Sequence, residues 1–215
     1  PEELVLPDAT VDTCKEMVRK MEFLCGADDV PSFLSASQVH IACRIVRDIG
    51  VPGRATLIFV NGMAQLQEIV EQFEAFRRSS YCEDYLILPM HSQIPYEEKM
   101  TAFVNDDSSV KVIIATNICE SSITLPTVDA VIDLGTRKQV IFDQRLRKTR
   151  LLNRFISRAS AIQRAGRTAR VRPGVVYRLY PKALFEVGFD AYTEAELLAL
   201  PLSMVALRLM KQGLD

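Results

Sequence analysis

The chain has 215 residues, 48% of them apolar and 25% charged, with 26 Lys and Arg against 27 Asp and Glu for a net charge of −1. These averages belong to a globular protein and exclude a collagen-like, disordered or disulfide-stapled chain. A pI of 6.2 also excludes a protein that grips nucleic acid through a globally basic surface, the footprint of a pI above about 9.

The length allows one large domain, or one domain and the beginning of another. No apolar run reaches the ~18 residues of a spanning helix, and Pro1–Asp12 lacks the basic-then-apolar pattern of a secretion signal. A chain that begins at Pro1 rather than Met is expected to be a fragment of something longer. Cys14, Cys25, Cys43, Cys82 and Cys119 lie 11, 18, 39 and 37 residues apart. That spacing predicts reduced intracellular thiols, with neither a disulfide framework nor a metal site.

In chain order, Val11, Cys14, Met17, Val18, Met21, Leu24 and Cys25 follow the helical period, with Gly26 to end the helix. A second helix is predicted over Ser35–Ile49, its apolar stripe formed by Ile41, Ala42, Ile45, Val46 and Ile49. Gly50-Val-Pro-Gly53 breaks the chain before Ala55–Val60, a short, almost continuous apolar run of the kind buried on both faces of a parallel sheet. Gly62 opens a helix carrying Met63, Leu66, Ile69, Val70 and Phe73 on one face. Strands follow at Tyr85–Pro89, Val110–Ala115 and Asp129–Leu134, with a helix from Pro95 to Phe103 between the first two. Such alternation predicts an α/β fold with a mostly parallel sheet and helices on both faces.

After Gly135 the pattern changes. Gln139–Phe142 and Thr149–Leu152 flank Asp143–Lys148 and predict a protruding β-hairpin. A helix near Arg158–Gly166 and a strand at Gly174–Tyr180 close the α/β region, and helices are predicted at Thr193–Ala199 and Leu202–Met210. His40 falls in mid-helix and reads as structural; His91 borders a strand end.

The densest chemical signal is Gln163-Arg-Ala-Gly-Arg-Thr-Ala-Arg170. Arg164, Arg167 and Arg170 recur at spacing three, stacked if the segment is helical, and stacked guanidiniums repel unless an anion lies among them. Arginine's fixed, always-charged fork suits phosphate oxygens, so a polyphosphate is the expected partner, against the plainer reading of a solvated basic helix face.

This segment resembles motif VI of the superfamily 2 helicases, and Thr116-Asn-Ile-Cys-Glu-Ser-Ser-Ile-Thr124 resembles their motif V in its DEAH-box/RNA helicase A form. Gly135–Arg147 and Ile156–Ile162 resemble the hairpin and the lead-in of that family. Leu57-Ile-Phe-Val-Asn-Gly62 is similar to motif IV, and Met90-His-Ser-Gln-Ile-Pro95 to the motif that follows it. The resemblance implies a C-terminal RecA-like lobe over residues 35–180, preceded by an unassigned helical segment at 1–34 and followed at 181–215 by the start of a winged-helix region.

It implies roles as well. Arg167 and Arg170 match arginine fingers that reach the γ-phosphate of ATP, and Gln163 the residue that helps hold that phosphate and the attacking water. Ser122, Thr124 and Arg164 would face the nucleotide. Phe103 aligns with an aromatic that stacks on adenine, although its spacing after Met100 equally suits the core. Thr116, Asn117, Gly62, His91 and Ser92 match contacts to a single-stranded RNA backbone. Such contacts carry little base information.

No G-x-x-x-x-G-K-[S/T] loop and no Asp-Glu-x-His occurs in the chain, so ATP and Mg²⁺ are expected to be held mainly by an N-terminal RecA-like lobe outside it, and the chain alone is expected to be inactive. Two departures stand out: Ala169 where a glycine is usual, and Pro126 where relatives carry an acidic residue near the ribose. They leave open a degenerate lobe serving as an RNA- or protein-binding scaffold. Charge, finally, is unevenly spread. Arg137–Arg172 holds 12 basic residues and one acid, leaving 14 basic and 26 acidic residues in the other 179. Nucleic-acid contact is thus expected to be local to the strand-end loops and the hairpin.

Overall fold

The computed structural model describes residues 32–78, 85–92, 94–95, 108–121, 125, 127–143, 148–194 and 202–212. The helix expected at 11–25 lies outside them, as do all but the first residue of the one at 95–103 and most of the one at 193–199.

Five parallel strands form the central sheet, in the order β2-β3-β1-β4-β7. They are β1 (Ala55–Phe59), β2 (Tyr85–Met90), β3 (Val110–Ala115), β4 (Ala130–Asp133) and β7 (Val175–Arg178). Every residue of β1, β3 and β4 is buried, as their largely apolar runs predict, and Thr56, Lys111 and Asp133 are buried polar members of them. Side chains alternate across the sheet. Ile58, Val112, Ile114 and Ile132 face α1 (Ser32–Ile49) and α2 (Met63–Arg78), while Leu57, Phe59, Ile113 and Val131 pack with Cys119, Leu125 and Val128 on the other face. Cys119 belongs to α3 (Ile118–Ser121). The buried stripe of α1 contains a polar member, Gln38, whose Nε2 donates to the carbonyls of Leu134 (2.7 Å) and Leu179 (2.9 Å). One side chain thereby satisfies two strand-end acceptors that burial would otherwise leave orphaned.

The hairpin is longer than its sequence pattern suggested. β5 (Thr136–Asp143) and β6 (Lys148–Phe155) pair from Thr136↔Phe155 to Asp143↔Lys148. Apolar alternation marks only the outer part because Arg137, Lys138, Asn153 and Arg154 occupy the base, and a ribbon with wet faces needs no apolar stripe.

Packing against the core continues after residue 180. A π-helical turn at Leu184–Gly188 buries Leu184, and Phe189 sits 5.0 Å from Tyr180 and 5.6 Å from Phe155 between ring centroids. These rings join the same core as α1. Beyond them, α5 (Leu202–Lys211) matches the last predicted helix, with Leu207, Leu209 and Met210 exposed.

Candidate functional site

Strand register gathers the first set of candidate residues. Phe59, Ala115 and Met90 are direct partners across β1, β3 and β2, so the three strands end level. The amide of Val60 donates to Ala115 (2.9 Å) and that of Thr116 to Met90 (3.3 Å). The segments that follow therefore emerge side by side, and Gly62, His91, Ser92, Thr116 and Asn117 line one cleft of about 350 Å³. Strand carboxyl ends are where open parallel sheets bind ligands. Thr116 is buried, His91 partly so, and Ser92 and Asn117 are exposed.

The hairpin supplies the opposite wall through Arg137, Lys138 and Leu151. Asn61 Nδ2 donates to Asn153 Oδ1 (3.2 Å), tying the loop after β1 to β6. A Cβ on Gly62 would lie 3.1 Å from Cδ of Lys138, so glycine leaves room for that side chain to lie across the loop. None of these hairpin residues was singled out by sequence; the dense positive charge beginning at Arg137 was the available signal.

The second set stands on α4 (Arg158–Ala165). Ser157 caps it, accepting from the amide of Ser160 (3.1 Å), and the first free amides donate to Asp190 (2.8 Å) and Ala191 (3.1 Å). The helix ends before Gly166, close to the predicted end, so the condition for stacking Arg164, Arg167 and Arg170 on one helix is not met. Only Arg164 is helical.

Arg164, expected to face the nucleotide, is enclosed within the lobe. It is 0% exposed, with Nη1 2.8 Å from Asp133 Oδ1 and Nε 3.1 Å from Glu120 Oε2. Its guanidinium lies 4.9 Å from the centre of the Phe59 ring and donates to the carbonyl of Thr136 (3.4 Å). Burial alone would depress its pKa, but Asp133 and Glu120 outweigh burial and raise it. The anion among the arginines is internal. Asp133 Oδ2 further accepts from the Tyr180 hydroxyl (3.1 Å), and Oδ1 from the amide of Gly135 (2.9 Å).

Glu120, which the sequence reading passed over, connects the two sets. Its amide donates to Asn117 (2.9 Å) in the cleft loop. Its carboxylate takes Arg164 and the Ser160 hydroxyl, and its carbonyl accepts from Nη2 of Arg167. Arg167 is half-buried, whereas Gln163 and Arg170 are exposed, with Arg170 Nε within 3.4 Å of the Gly166 carbonyl. Between them Ala169 has φ +59°, the only left-handed non-glycine among the described residues. Ser122, Thr124 and Phe103, expected to contact the nucleotide, and Pro126 lie outside the described residues.

Residues 37–172 match the helicase conserved C-terminal domain. The chain belongs to that family. Its relatives include the ATP-dependent RNA helicase DHX29 of Mus musculus, 39% identical over 73% of this chain and 11% of that protein. The DExH-box ATP-dependent RNA helicase DExH1 of Arabidopsis thaliana is 33% identical over 88% of this chain and 18% of its own length. Among solved structures, the Escherichia coli DEAH/RHA helicase HrpB superposes with a TM-score of 0.72 at 27% identity, covering 86% of this chain and 23% of that one. Within the family the chain is a C-terminal RecA-like lobe of the DEAH/RNA helicase A group. It spans between a tenth and a quarter of these three proteins. In this helicase lobe the two candidate sets lie at the two ends of one connection, the cleft loop at Thr116-Asn117 and the arginines after α4, joined through Glu120. No described helix is long and apolar enough to cross a membrane.

Proposed function

We propose that this chain is the second lobe of an ATP-dependent RNA helicase. Its strand-end cleft binds the backbone of single-stranded RNA, and Gln163, Arg167 and Arg170 act on ATP held mainly, with Mg²⁺, by an N-terminal RecA-like lobe. The observation that carries this reading is the convergence of Gly62, His91, Ser92, Thr116 and Asn117, from three strand ends, on one cleft. Amides, hydroxyls and an imidazole are the donors that phosphodiester oxygens take from a protein that positions a strand without reading its bases.

The donors after α4 fit a polyphosphate. A carboxamide can accept from a water while donating to an oxygen, and two guanidiniums present charge-assisted forks to a phosphoryl group. In phosphoryl transfer such arginines contribute a rate factor of about 10³–10⁵. ATP with its Mg²⁺ supplies the phosphoryl chemistry. Arg167 orients one fork through the Glu120 carbonyl, Arg170 projects the other from the surface, and Gln163 positions water. Glu120 lies in α3, three residues after Asn117 and hydrogen-bonded to its carbonyl, so a shift of either set is transmitted through α3, as lobe closure and reopening would require.

The test is Arg167→Ala in the full-length protein. RNA-stimulated ATP turnover is expected to fall by at least about 10³, in line with a lost arginine finger, with oligouridylate affinity unchanged in the absence of nucleotide. Equal loss of both would make Arg167 structural, and full turnover would favour the scaffold reading.

A further inference from the structure

Arg137 occupies an unusual electrostatic position. It stands at the base of the hairpin, lines the cleft beside Thr116 and Asn117, and among the described residues its side chain makes a single hydrogen bond, from Nη2 to Gln139 Oε1 at 2.9 Å. Nε is buried without an acceptor. No carboxylate of the described residues is ion-paired with it. Arg154 stands directly across the ladder, and Arg164 adds a second repulsion from behind, while Glu120 and Asp190 attract from a distance. The Glu120 carboxylate is already committed to Arg164 and Ser160. Burial is the largest cause of a lowered Arg137 pKa.

Like charges directly opposite on a hairpin destabilise it, and desolvating a charged donor without a partner costs more again. A half-buried guanidinium kept under these conditions at the mouth of a cleft lacks one thing, an anion with several acceptor oxygens. We propose that Arg137 is a further phosphodiester ligand of this cleft, gripping the backbone of single-stranded RNA alongside Thr116 and Asn117. The assignment rests on the RNA-binding reading above and adds a residue which that reading did not contain. Arginine rather than lysine suits the position because its fork can donate to two phosphate oxygens together.

A phosphate oxygen could come from RNA or from a nucleotide, and the experiment separates them. Full-length protein carrying Arg137→Gln is titrated with labelled oligouridylate and oligoadenylate over a salt series, and with ATP in the absence of RNA. Affinity for both oligomers should drop equally, about tenfold for one charge-assisted contact. The slope of log K against log salt should become shallower by about 0.7, the value for one single-strand phosphate contact. ATP affinity should stay unmoved. Arg137→Lys should restore the slope but only part of the affinity, and it keeps the test alive if glutamine disturbs folding. The assignment is overturned if the oligouridylate affinity and slope of Arg137→Gln match those of the unaltered protein, or if ATP affinity falls while RNA affinity holds. Failure of the unaltered protein to bind oligouridylate would instead sink the RNA reading itself.

Discussion

Asp133→Ala tests the buried network that fixes the arginine segment. Asp133 is 1% exposed and Arg164 0%, with 2.8 Å between their charged atoms. The substitution leaves Arg164 with Glu120 at 3.1 Å and a long contact to the Thr136 carbonyl, and it strips acceptors from the Tyr180 hydroxyl and the Gly135 amide. Removing one partner of a buried ion pair costs about 3–5 kcal/mol, because the remaining charge stays desolvated. At roughly 2–4 °C per kcal/mol for a domain of this size, Tm should fall by roughly 6–20 °C. Adding Arg164→Met removes the second charge and should recover much of that loss, since a buried pair exchanged for apolar groups of similar volume is often close to neutral. Thermal and denaturant melts of the four proteins in the cycle give the coupling directly. A loss below about 1 kcal/mol for Asp133→Ala, the scale of a surface ion pair, would refute the claim that this carboxylate neutralises a buried guanidinium. So would a double variant no more stable than the single one.

Ala169→Gly relieves a left-handed residue at φ +59°. That conformation costs a non-glycine about 1–2 kcal/mol, and glycine's extra freedom in the unfolded chain returns about 0.4–1 kcal/mol of it; denaturant melts should show a net gain of about 0.5–1 kcal/mol, and a loss would contradict the strain. Alkaline stability depends on Cys43, whose thiol burial, with a contribution from Glu68, pushes up from 9.0 to about 12. A folded pKa above the unfolded one gives stability that is complete below pH 9 and lost as pH rises toward 12, with a slope of at most about 1.4 kcal/mol per pH unit for one group. Cys43→Ala lowers stability at neutral pH by leaving a cavity, yet it should flatten the decline between pH 9 and 10, before Tyr177 and Tyr180, both raised by burial, begin to contribute. An unchanged slope would rule Cys43 out as its source.

The sheet was legible because its strands are buried on both faces, which favours mostly apolar runs at Ala55–Val60 and Val110–Ala115, broken only by Thr56 and Lys111. Strand order was not, since it depends on which runs pair rather than on any one of them. The cleft residues were readable through motif resemblance, and register explains why motifs separated by about fifty residues converge: Phe59, Met90 and Ala115 end level. Hidden from the sequence were the polar groups that act internally. Gln38, Glu120 and Asp133 look like surface residues one at a time. Each becomes structural only when the fold brings a carbonyl or a guanidinium against it.

The same fact changes what the positive block means. Spacing three made Arg164, Arg167 and Arg170 look equivalent, but the helix ends before Gly166 and their roles divide: one is enclosed by two carboxylates, one is held by a main-chain carbonyl, and one is exposed. Arg172 is likewise paired, with Asp129. Glu120, Asp129 and Asp133 all lie outside Arg137–Arg172, so subtracting these three acids takes the local charge from +11 to +8. The remainder sits largely on the hairpin and the finger segment. An anion meeting this lobe therefore meets a few specific guanidiniums rather than a uniformly basic face. On that account, the salt dependence of RNA binding should reflect a small number of contacts, each removable one at a time.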